Sequence, residues 1–73
     1  MPRYFFHLKD GTTRMDEDGT ALAGPDEARA MAVINAGEVL TDLGAKFWQS
    51  DEWRLWVTDE SGATLCSLRF TSE

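Results

Sequence analysis

The architecture of the chain is most legible in WRLWVTDESGATLCSLRF, residues 53–70. Two runs that alternate apolar and polar side chains flank a polar turn at Ser61-Gly62, which is the pattern of a β-hairpin. Successive side chains of a strand point to opposite faces of its sheet, so parity divides each run into two sets. In the first run, Trp53, Leu55 and Val57 oppose Arg54, Trp56 and Thr58. In the second, Cys66, Leu68 and Phe70 oppose Leu65, Ser67 and Arg69.

Toward the N-terminus, Pro2–Lys9 (PRYFFHLK) is rich in aromatics and lacks a helical period, which predicts another strand of the same sheet. Its sets are Tyr4, Phe6, Leu8 and Arg3, Phe5, His7, Lys9. Asp10-Gly11 predicts a two-residue hairpin turn, with Thr12–Met15 as a short return strand. Asp16-Glu17-Asp18-Gly19 then reads as an acidic turn, and Thr20–Ala23 as an extended loop.

Between the two strand regions the helix signals agree. Gly24 can occupy the N-cap, and Pro25 suits the first helical position, where its missing N–H costs nothing. Asp26 and Glu27 set negative charge on the positive end of the helix dipole. Ala28, Met31, Ala32, Asn35, Ala36, Val39 and Leu43 fall on one side at helical spacing, and Gly44 is a stop signal. The expected helix covers residues 25–43, with Gly37 as a weak point. A connector from Ala45 to Glu52 follows, with Phe47 and Trp48 tucked against the helix end and Thr71-Ser72-Glu73 as a frayed tail. The order ββαββ is that of a single α+β domain over residues 1–73: an antiparallel four-stranded sheet with one helix on one face.

Composition bounds the function. A chain of 73 residues has a thin core, which its three Trp and four Phe help to fill. Cys66 is the lone cysteine and forms no disulfide within the chain. No apolar run approaches a membrane span, and the N-terminus lacks a charged-then-apolar leader, so a soluble cytoplasmic protein is expected. A formal charge of −6 opposes sequence-independent binding to DNA.

One helix covers one face of the sheet. The apolar sets must face it, which leaves the second sets on an open face. That face gathers Arg3, Lys9, Arg54 and Arg69, four of the seven basic residues, with Phe5, His7, Trp56 and Leu65. It reads in three ways. It is a solvated surface on which arginine stems cover aromatic rings, a recognition surface for a protein partner, or a stacking platform for single-stranded nucleic acid. The acidic remainder of the chain opposes the last of these.

Other motifs fail on inspection. The acidic turn lacks the ligand spacing of a calcium loop, because Arg14 and Pro25 stand where ligands are needed. His7 is the only histidine, and parity sets it on the face opposite Cys66, so the two form no dyad. The outer side of the helix, with Ala30, Ile34, Gly37 and Thr41, is small or apolar where charge is usual, which suits either undemanding solvation or close helix packing.

The opening MPRYFFHLKDG, the turn DEDG, the helix start DEARAMA and the closing WRLWVTDESGATLCSLRF together resemble a family of small bacterial proteins, the domain-of-unknown-function family DUF6894. Tyr4–Leu8, Asp10, Gly11, Asp18, Gly19, Trp53, Val57, Asp59, Glu60 and Gly62 carry the resemblance, which spans almost the whole chain. It implies a compact α+β module and brings no activity with it. From the shared parity of the open-face residues, the expected function is a non-enzymatic interaction module, a homodimer or the binder of another protein. Its expected contact face is Arg3, Phe5, His7, Arg54, Trp56, Leu65 and Arg69. No cofactor, metal or membrane partner is expected, and nucleic acid is disfavoured. A small anionic ligand or single-stranded nucleic acid on the same face is the alternative.

Overall fold

The computed structural model describes residues 1–72. Strand β1 (Arg3–Lys9) is followed by the short strands β2 (Thr13–Arg14) and β3 (Thr20–Ala21). Helix α1 (Pro25–Leu43) runs into a 3₁₀ helix at Gly44–Gln49, and the hairpin β4 (Glu52–Thr58) and β5 (Thr64–Thr71) closes the chain. All pairings are antiparallel, in the order β2-β1-β4-β5, with β3 also paired to β1.

Among the described residues the fold is α+β with one α-helix, as expected, but the sheet has five strands. The additional strand is Thr20–Ala21, expected as loop, which pairs with Arg3 and Tyr4 of β1. Two residues carry no period of their own; their pairing is imposed by the edge of β1. The β1–β2 loop is also one residue longer than the Asp10-Gly11 pattern predicts, because Lys9 pairs with Thr13. Only Gly11 in that loop takes a positive φ, of 94°.

The helix bounds follow from its local signals. Pro25 stands at the first helical turn, and Glu27 turns back to accept the Ala23 N–H at 2.9 Å. Gly44 ends the helix at φ 51°, its N–H bonded to the Leu40 carbonyl. Ala28, Ala32 and Ala36 form the buried ridge, so the helix lies close over β4 and β5. The sheet supplies the bulk: Tyr4, Leu55 and Val57 are buried beside Leu22, with Phe6, Leu8, Leu68 and Phe70 packed around them.

The register confirms the parity division of the strands. Phe6, Val57 and Cys66 are aligned across three strands, as are Leu8, Leu55 and Leu68. Leu65 departs from it. A bulge between Val57 and Thr58 leaves Leu65 without a partner in the ladder, and it packs against the core instead of standing on the open face. Near the helix end, Phe47 stacks on Trp53 at 6.5 Å and its carbonyl accepts the Trp53 Nε1–H. Trp48, expected to be tucked in, is 67% exposed, because the 3₁₀ turn directs only one of the two adjacent rings inward. The expected fraying of the tail does not extend to Thr71 and Ser72. Thr71 pairs with Glu52, and Ser72 bonds to the carbonyls of Ser50 and Asp51; Glu73 lies outside the described residues.

Candidate functional site: the helix-free sheet face

Three rows of side chains cross the open face in register. Lys9, Arg54 and Arg69 form the first, His7, Trp56 and Ser67 the second, and Phe5 stands beside Thr58 in the third. The first row places three cations on neighbouring strands, where like charges directly opposite one another are unfavourable. Arg54 lies over the Trp56 ring, 5.2 Å from its centroid, and Arg69 has Glu52 at 3.6 Å. Glu52 shares the parity of Arg54, so it belongs to this face and not simply to the connector. That signal was present in the sequence. The cation row was not, because it exists only once the cross-strand register is set.

The other end of the face is covered. After β2 the chain crosses the side chains of β1, and the acidic turn settles over Arg3, Phe5 and His7. A Cβ on Gly19 would come within 2.7 Å of the Arg3 side chain and 2.8 Å of the Phe5 ring. Arg3 is fastened there: its Nη1 donates to the carbonyl oxygens of Asp18 at 2.8 Å and Gly19 at 3.3 Å. Its backbone N–H donates to Glu60 at 3.0 Å.

Asp16 is the latch of this cover, a role the sequence did not disclose. One carboxylate oxygen accepts the Phe6 N–H at 3.1 Å, in the gap between the stretches of β1 that pair with β2 and β3. The other accepts the N–H groups of Asp18 and Gly19, both at 3.1 Å. Burial pushes the carboxyl pKa up, but the bonds from Gly19, Phe6 and Asp18, with the nearby His7, hold it below its ordinary value.

His7 is therefore not a surface residue; it is 4% exposed. Its Nδ1 accepts the Asp16 N–H at 3.0 Å, so Nε2 carries the proton and donates to Thr58 Oγ1 at 2.8 Å. The imidazole packs on Trp56 with ring centroids 5.2 Å apart. Both ring nitrogens are occupied, which makes His7 a structural tie.

The expected contact residues thus divide. Arg54, Trp56 and Arg69 are brought together, and Lys9 joins them. Arg3 is held at the far end, Phe5 and His7 lie under the turn, and Leu65 packs inward.

Residues 3–71 match the family model described as a domain of unknown function, DUF6894. The chain belongs to the DUF6894 family. Comparison of this DUF6894 domain with curated proteins and with solved structures gives no significant match. Among the described residues, no helix is long and apolar enough to cross a membrane.

A cleft of about 480 Å³ adjoins the cation row, between the Asp10-Gly11 loop and residues 49–52. Lys9 and Arg54 line it, but so do Asp10, Asp51 and Glu52. The cleft therefore carries both signs of charge.

Proposed function

We propose that this DUF6894 domain is a non-enzymatic, cytoplasmic protein-interaction module that docks through the uncovered part of its sheet. Lys9, Arg54, Trp56, Ser67 and Arg69 form the contact face. The observation that carries this reading is the in-register row of three cations beside a half-buried tryptophan. A row of like charges is costly in the free domain and becomes favourable when a partner brings negative charge to it. Trp and Arg are also the side chains that most often dominate protein interfaces. A nucleic-acid strand would need further rings for stacking, and those of Phe5 and His7 lie beneath the acidic turn.

Trp56→Asp tests the proposal. The variant should keep its circular dichroism spectrum while losing both self-association in light scattering and any co-purifying protein. Unchanged association by a folded variant removes this face from consideration. Resonance shifts confined to Arg54 and Lys9 on titration with phosphate or carboxylates would favour the small-anion alternative.

A further inference from the structure

The helix-free face has opposite charges at its two ends. The Lys9 end carries Lys9, Arg54 and Arg69, offset by Glu52 beside Arg69. Over the Arg3 end lies the acidic turn, whose Glu17 and Asp18 are exposed. Neither side chain forms an ion pair among the described residues. Arg3 meets the turn through backbone carbonyls and leaves the carboxylates free for another partner. Trp56 lies between the two ends.

A surface with this polarity is complementary to itself. Take a twofold axis in the plane between two facing sheets, perpendicular to the strands and close to Trp56. It keeps β1 of one copy over β1 of the other and exchanges the strand ends. Each basic row then meets the other copy's acidic turn, and the two Trp56 rings lie near the axis. We infer that the occupant of this face is a second copy of the chain, held by two equivalent contacts between Lys9 with Arg54 and Glu17 with Asp18. This rests on the interaction reading above and names its partner. The net charge of −6 on each copy does not forbid it. Repulsion between net charges is screened beyond about 8 Å in physiological salt, whereas the row and the turn meet at short range.

Two charge-reversed variants test the arrangement, with mass followed by light scattering up to millimolar concentration. Lys9→Glu/Arg54→Glu makes both ends acidic, and Glu17→Lys/Asp18→Lys makes both basic. Each variant alone should dimerise at least about tenfold more weakly than the wild type, because both of its contacts become repulsive. Mixed in equal amounts they should form a heterodimer, since both contacts are attractive again. All substituted side chains are exposed, and circular dichroism checks that each variant folds. A monomeric wild type overturns the inference, and the interaction reading is then judged separately by the Trp56→Asp co-purification test. A dimer that survives either reversal alone also overturns it and points to another surface, such as the β5 edge or the Ala30–Ile34–Gly37 side of the helix. Failure of the mixture to pair overturns the twofold arrangement even when both variants are monomeric.

Discussion

The backbone N–H of Asp16 donates to Nδ1 of His7 across 3.0 Å, and this bond closes one end of the sheet face that the helix leaves bare. Without it, His7 and Phe5 would extend the aromatic surface of Trp56. With it, the exposed part of the face narrows to the Lys9 end, and an acidic turn is held over the Arg3 end. The relationship governs both the stability of the cover and the shape of the proposed contact surface.

Asp16→Ala should destabilise the domain by about 1–3 kcal/mol, because the half-buried Phe6 N–H loses its acceptor. Asp16→Asn keeps one oxygen acceptor and should cost less. Urea unfolding followed by tryptophan fluorescence measures both. Equal stability of Asp16→Ala and wild type would show that the latch carries no net energy.

Acid should loosen the same latch. The Asp16 carboxyl lies below its ordinary value of 3.8, since the three N–H donors outweigh the opposing effect of burial. A carboxylate whose folded pKa is depressed stabilises the fold fully above its unfolded pKa, and that contribution fades as pH falls through the lower folded value. Asp59 shifts in the same direction, through the Ser61 hydroxyl and the N–H groups of Ala63, Ser61 and Gly62. Wild-type stability should therefore decline below pH 3.8, and Asp16→Asn should decline less steeply over the same range. Parallel slopes would assign the acid sensitivity to other groups.

The His7 ring proton should sit on Nε2, because Nδ1 is occupied as an acceptor. Nitrogen-15 shifts of the ring report this directly. His7→Phe fills the space but leaves the Asp16 N–H and the Thr58 hydroxyl unpaired, at a cost of about 1–3 kcal/mol. A proton found on Nδ1 at neutral pH would contradict the turn geometry.

Two glycines should respond in opposite senses to alanine. Gly19 has φ 71° and its missing Cβ would press on Arg3 and Phe5, so Gly19→Ala should cost at least about 1–2 kcal/mol. Gly37 is helical with open space around it, so Gly37→Ala should stabilise by up to about 1 kcal/mol. Thermal unfolding of the pair separates backbone strain from helix propensity.

The contrast between buried and exposed aliphatics should be equally plain. Leu55 is 5% exposed, and Leu55→Ala should cost about 2–5 kcal/mol. Ile34 is 54% exposed on the outer side of the helix, so Ile34→Ala should change stability by no more than about 0.5 kcal/mol. A larger loss at Ile34, growing with protein concentration, would reveal that this side of the helix is covered in solution.

Residues 25–43 could be recognised as the helix from the spacing of Ala28, Ala32 and Ala36 and from Gly24, Pro25 and Gly44 at its ends, because period, caps and stops are properties of nearby residues. The two sides of each strand were equally legible: Leu55 beside Trp56 states the alternation, and the pleat enforces it. Loops offered no such rule. Thr20–Ala21 became a strand only because the outer edge of β1 offered it hydrogen bonds. Leu65 changed sides through a bulge, and Trp48 was left exposed by the tight turn that half-buries Phe47.

The helix, the hairpin and the separation of apolar from basic-aromatic side chains are written in the order of residues, since each follows from spacing and end signals along the chain. The single row of Lys9, Arg54 and Arg69, and the cover of the acidic turn over Phe5 and His7, arise only when the chain is folded. Those outcomes depend on the register between strands and on the path of a loop through space. Both are set by hydrogen bonds between residues far apart in the chain, whose geometry no local pattern records.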